Sequence, residues 1–137
     1  MGAVRYLVKD VDASLPFYFA LGFAEKKRWG PPFVMLSRGD LDLWLSGPGS
    51  SATRPLTDGS IPSPGGWNRL VIQVENIDDS IAAIKTTGAR FRSEPVKGPG
   101  GRQVLVEDPS GNPIELFESS DPQIVNRASS GTSRIRT

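Results

Sequence analysis

Short alternating apolar runs recur along this chain and predict strands, interrupted twice by longer runs with helical spacing. VRYLVKDVDASLPFYFALGF (4–23) opens as a strand, passes an acidic turn, continues as an amphipathic helix and stops at a glycine. RLVIQVENIDDSIAAIKTTGA (69–89) repeats this pattern with an offset of 66: Val8 falls on Val74, Val11 on Ile77, Asp12 on Asp78, Ser14 on Ser80, Leu15 on Ile81 and Gly22 on Gly88. Asp12 and Asp78 are the expected N-caps, because a carboxylate accepts from the free N–H groups of a first helical turn. Gly22 and Gly88 suit the left-handed residue that closes many helices.

Three further strands follow each helix: AEKKRWG, FVMLSRG and DLDLWLSG in the first half, ARFRSEP, GRQVLVEDPSG and NPIELFE in the second. Both halves therefore spell β-α-β-β-β. LDLWL (41–45) superimposes on IELFE (114–118) with an offset of 73, so Asp42 mirrors Glu115 and Trp44 mirrors Phe117. The extra seven residues (73 − 66) are assigned to VKGPGGRQ, whose GPGGR segment is expected to be a hairpin turn. Agreement in order, residue type and spacing favours a true repeat over chance likeness of short strands.

The predicted organisation is one domain over residues 1–118, with module one at 1–46, a Gly/Pro/Ser-rich linker at 47–66 and module two at 67–118. Residues 119–137 lack periodicity and are expected to be a flexible tail. Strand alternation points Ala3, Arg5 and Leu7 away from the helix in the first strand, and Arg69, Val71 and Gln73 in its counterpart. The last strands add Asp42, Trp44, Glu115 and Phe117 to that inner face. Together these residues describe an amphipathic small-molecule cleft.

Composition changes this picture mainly by what is missing. Among 137 residues there is no cysteine and no histidine, which removes disulfides, thiol nucleophiles, the commonest general base and the commonest metal ligand. A net charge of +1 with no basic stripe gives no attraction to nucleic acid. No apolar run suits a membrane span, and the missing signal-peptide pattern makes a cytoplasmic location the expectation.

The paired modules, and above all VEDPSGNPIELFE, resemble the vicinal oxygen chelate superfamily, which contains glyoxalases, bleomycin-resistance proteins and extradiol dioxygenases. The resemblance spans roughly residues 3–118. It implies an α+β fold of two βαβββ modules forming an open, concave mixed sheet with helices on the outer face. It also implies a homodimer with exchanged modules, and a metal held in some members by strand-start residues and last-strand acids. Carried onto this chain, those positions are Ala3, Arg69, Asp42 and Glu115. Alanine cannot ligate, and arginine is a permanent cation that repels a divalent ion.

The expected function is therefore binding, without a cofactor, of a planar or aromatic small molecule, with antibiotics among the candidates. Its expected ligand-binding residues are Arg5, Asp42, Trp44, Arg69, Gln73, Glu115 and Phe117. Arg69 and Glu115 are expected to pair where a metal would sit, either as a purely structural ion pair or with Arg69 gripping a ligand oxygen. Trp44 and Phe117 are either packing or stacking residues; Trp29 and Trp67 are either rim residues or turn anchors. The alternative is a glyoxalase-like lyase, isomerase or dioxygenase that holds a divalent metal on Asp42 and Glu115, or a metal-free enzyme with Glu115 as general base. A third reading is an inert partner-binding module that uses the linker as its contact surface.

Overall fold

The structure is a computed structural model and describes residues 2–121. Residues 122–137, most of the expected tail, lie outside the described residues. Strand β1 (Val4–Leu7) leads into helix α1 (Val11–Ala20), followed by β2 (Ala24–Trp29), β3 (Phe33–Arg38) and β4 (Leu41–Ser46). A single 3-10 turn (Ser51–Thr53) interrupts the linker. The second module runs through β5 (Leu70–Gln73), α2 (Ile77–Lys85), β6 (Arg90–Phe91), β7 (Val96–Gly98), β8 (Gly101–Glu107) and β9 (Pro113–Ser119). Each module is a mixed sheet with one helix, in the orders β1-β4-β3-β2 and β5-β9-β8-β6, with β7 pairing on β8. In both sheets the first strand lies parallel to the last and the other pairs are antiparallel. The α+β architecture of two β-α-β-β-β modules is thus present. Its second copy carries the extra β7–β8 hairpin, turning at Pro99 and Gly100.

Alternation decides which side of each sheet is buried. Val34, Leu36, Leu43 and Leu45 of module one and Ile72, Val104, Val106, Ile114 and Leu116 of module two are sealed beneath the helices. They form one continuous apolar cluster with Phe17, Tyr18, Ile77 and Ile84 from the helices. Burying such side chains supplies about 1.5–3 kcal/mol each, before the chain entropy that opposes it.

The helix starts differ from expectation. Asp10 and Asn76 are the N-caps, in extended backbone, accepting from Ala13 and Asp79 N–H. Asp12 and Asp78 lie one turn-position inside, where each pairs instead with a strand arginine, Arg28 and Arg102 respectively. An N-cap needs a non-helical residue, and KDVD and ENID each offer a suitable oxygen two residues earlier. Glu118 also serves α2, accepting from Ile77 N–H at 2.8 Å. Gly22 and Gly88 close the helices at φ of +91° and +78°. Gly101 is required for another reason: a Cβ there would run into the Glu118 carbonyl of β9.

The modules are joined by the turn between β8 and β9. Asp108 is buried and accepts four hydrogen bonds: from Tyr18 Oη (2.6 Å), Ser110 N–H, Asn112 N–H and Asn112 Nδ2. Asn112 Nδ2 also donates to the Leu7 carbonyl, its Oδ1 accepts from Gly65 N–H of the linker, and Ser110 Oγ accepts from Lys9 N–H. Tyr6 completes the joint, donating to the Pro113 carbonyl and accepting from Leu70 N–H, both at 2.9 Å. No helix among the described residues is long and apolar enough to cross a membrane.

Burial first, and then the charge of Asp108, push the Tyr18 hydroxyl well above the ordinary phenol value of 10.0; burial raises Tyr6 as well. Each raised value means that the folded state favours the neutral phenol. That stability is complete below pH 10.0 and is lost as pH rises through the folded-state values. Tyr18→Phe should cost about 1.5–2 kcal/mol at neutral pH, the worth of a hydrogen bond to a charged group. Urea denaturation at several pH values should also show a shallower alkaline loss of stability in the variant. Equal stability of the two proteins at pH 7 would refute the bridging role of Tyr18.

Candidate functional site

Directly paired residues on neighbouring strands share a sheet face, so the ladder registers define what lies opposite the helices. In module one, Lys27, Met35, Trp44 and Arg5 form one row across all four strands. Trp29, Phe33, Ser46 and Leu7 form the next. The Phe33 ring lies 5.7 Å edge-on from Trp44 and 5.4 Å from Trp29. The Arg5 guanidinium sits over both Phe33 (5.6 Å) and Trp44 (5.3 Å), and its Nη1 donates to Ser46 Oγ at 2.7 Å. Lys27 lies 4.6 Å from the Trp29 ring, while Lys26 pairs with Asp42 at 3.4 Å.

In module two, Val71, Glu115 and Leu105 form one row, and Gln73, Phe117, Gln103 and Val96 another. Arg69, just before β5, donates through Nε and Nη2 to the same Glu115 oxygen, at 3.1 and 3.0 Å. Glu115 is well shielded, with 12% of its side chain exposed against 34% for Arg69. Two-point contact from a planar guanidinium is a strong form of ion pair. Gln73 is exposed, and its carbonyl accepts from Arg38 across the module boundary.

The expected site residues thus fall into two clusters: Arg5, Asp42 and Trp44 on the first sheet, and Arg69, Gln73, Glu115 and Phe117 on the second. None of the hydrogen bonds described between the modules links one cluster to the other. Cavities of about 510 and 580 Å³ lie elsewhere, around Arg92 and Phe91, and neither is bordered by Trp44 or Glu115. The predicted cleft is therefore a pair of partly exposed faces in the single chain; Val71, on the edge strand β5, is 51% exposed.

The registers also correct the pairing of Asp42 with Glu115. Arg5 faces Trp44, and Val71, its counterpart 66 residues on, faces Glu115. Trp44 is thus the structural twin of Glu115 (115 − 44 = 71), Asp42 matches Pro113, and Phe117 matches Ser46. A two-residue slip preserves the pleat, so alternation alone cannot detect it. Of the four positions related by the repeat, Ala3, Trp44, Arg69 and Glu115, only one carries a metal-binding side chain, and Arg69 already holds it. Among the described residues, no three acidic, histidine or cysteine side chains cluster closely enough to hold a metal ion. This donor set, a single carboxylate already paired with an arginine and no imidazole, does not fit a divalent cation.

Residues 1–116 match the family model for the Glyoxalase/Bleomycin resistance protein/Dioxygenase superfamily. The chain belongs to this superfamily. An uncharacterized protein of Mycolicibacterium smegmatis is 29% identical over 111 residues, covering 80% of this chain and 84% of that protein. Among solved structures, a superfamily enzyme from Burkholderia phytofirmans superposes with a TM-score of 0.72 at 21% identity, covering 85% of this chain and 96% of that one. A lactoylglutathione lyase from Agrobacterium tumefaciens gives 0.64 at 20% identity, over 86% and 92%. At such identities these structures share the fold.

Within this superfamily fold, pattern reasoning reached the Arg69–Glu115 pair and Trp44 but missed Phe33, Lys27 and Ser46. Their signal, alternation in FVMLSR and LDLWLS, was present; what was missing was the register that sets them beside Arg5. Trp67 is exposed and lines the cavity of about 510 Å³, its ring 4.6 Å from an Arg92 that also binds Glu107 and the Gly66 and Gly111 carbonyls. Trp29 instead extends the aromatic face.

Arg69→Ala should lower stability by about 1–2 kcal/mol, between the limits for exposed and buried pairs. A double-mutant cycle with Glu115→Ala should give a coupling of roughly 1 kcal/mol in chemical denaturation. Strict additivity would mean that the pair contributes nothing.

Proposed function

We propose that this protein binds a planar or aromatic small molecule on its inner sheet faces, without a metal and without turning it over. The observation that carries this reading is the face around Trp44, where the partly buried Phe33 and Trp44 rings, the exposed Trp29 and a ring-stacked guanidinium lie outside the core. Aromatic planes with a few fixed polar groups suit recognition of flat ligands. The second sheet offers Gln73, Gln103 and Phe117 beside the neutralised Glu115–Arg69 pair. Aromatic natural products, antibiotics included, have the required shape.

The metal-dependent alternative is disfavoured by tryptophan, alanine and arginine at three of the four repeat-related positions. The metal-free enzyme is disfavoured because the Glu115 carboxylate is already engaged by two hydrogen bonds from the Arg69 guanidinium. The proposal includes a homodimer, as the superfamily resemblance implies. A second copy would cover exposed apolar residues such as Trp29 and Val71.

Tryptophan-fluorescence titration with a panel of aromatic antibiotics should show saturable quenching, unchanged by prior treatment with a chelator and much reduced in Trp44→Phe. Binding that requires an added divalent metal, or stoichiometric metal in the purified protein, would overturn the proposal. Sedimentation equilibrium should return twice the chain mass; a monomer at micromolar concentration would remove the dimer from it.

A further inference from the structure

We infer that the ligand is anionic, with a carboxylate or similar planar anion attached to its ring system, and that Arg5 receives that charge. This rests on the binding role proposed above for the Trp44 face. The inference comes from comparing the arginines. Arg28, Arg69, Arg92 and Arg102 each pair with a carboxylate: Asp12, Glu115, Glu107 and Asp78 respectively. Arg38, Arg54, Arg90 and Arg5 have no such partner among the described residues; Arg38 donates to the Leu21 and Gln73 carbonyls, whereas Arg5 is the one of these four set over aromatic rings. It is nevertheless held in place by two aromatic rings and by the Ser46 hydroxyl on Nη1.

A guanidinium stacked on rings is oriented by their negative faces, yet keeps its full positive charge. With Nη1 engaged, Nε and Nη2 remain as an adjacent donor pair, the arrangement that a carboxylate matches with two parallel hydrogen bonds. An anion would therefore meet a donor fork whose orientation is already fixed, which reduces the ordering cost of binding.

The rest of the face carries the same sign. Lys26 is offset by Asp42, but Lys27 rests on Trp29 without a carboxylate partner among the described residues. In the row Lys27–Met35–Trp44–Arg5, an indole lies next to one cation and two strands from the other. At about 4.8 Å between strands, a ring stacked on Trp44 places a directly attached carboxylate within reach of Arg5. A cationic ligand on the same face would meet two uncompensated positive charges.

The test is isothermal titration with three probes that share one ring system: 2-naphthoate, 2-naphthamide and 2-naphthylmethylammonium. The unmodified protein should bind naphthoate about tenfold more tightly than naphthamide, and the ammonium most weakly; tenfold corresponds to about 1.4 kcal/mol. Arg5→Met keeps an apolar stem on the rings and removes the charge. In that variant, naphthoate affinity should fall to the naphthamide level while naphthamide affinity changes less than about threefold, an effect under 1 kcal/mol. If the three probes bind equally, or the carboxylate preference survives in Arg5→Met, the charge assignment is wrong and the aromatic-binding reading stands. If none of the three binds, that reading falls and this inference with it. The charge series on the unmodified protein decides the sign of the ligand even if Arg5→Met does not fold.

Discussion

The buried carboxylate of Asp108 is the constraint on which the rest of this molecule depends. A charge taken out of water must be satisfied by hydrogen bonds, and Asp108 meets that requirement with donors from its own turn and from helix α1 of the other module. Asn112, held in that turn, then engages the end of β1 and the linker. One turn thereby sets the angle between β8 and β9, the seat of α1 and the path of the linker. It also places Glu115, three residues on, at the centre of the second sheet's inner face.

From that frame the two modules diverge in chemistry. The repeat supplies equivalent positions, but the chain fills them differently: Arg5 and Trp44 in one copy, Val71 and Glu115 in the other. The first face is cationic and aromatic. The second is amidic, with its acid neutralised by Arg69. The equivalent positions therefore carry two surfaces of unlike chemistry rather than one shared set of donors.

How far sequence reading reached is best seen in particular residues. Ile114 and Leu116 in the core, with Glu115 and Phe117 on the opposite, inner face of the sheet, follow from alternation, because a strand has only two faces. The Arg69–Glu115 pair followed from the repeat together with the superfamily likeness. Asp12 and Asp78 as caps did not hold, because two acceptors lay within reach of each helix start and only backbone conformation chooses between them. The match of Asp42 to Glu115 failed by two residues, a shift that leaves every side chain on its proper face.

The sequence by itself determined the doubled β-α-β-β-β order, the buried and exposed sides of each strand, and the lack of imidazole and thiolate ligands. These depend on local periodicity and residue identity, which are written directly in the chain. Tertiary structure alone decided register, and with it that Trp44, not Asp42, occupies the position that Glu115 holds in the second module. It also decided that Phe33 and Ser46 hold Arg5, and that Asp108 joins the modules through a tyrosine 90 residues away. Each of these is a contact between distant segments, set by hydrogen-bond ladders and shared burial rather than by any neighbour in sequence.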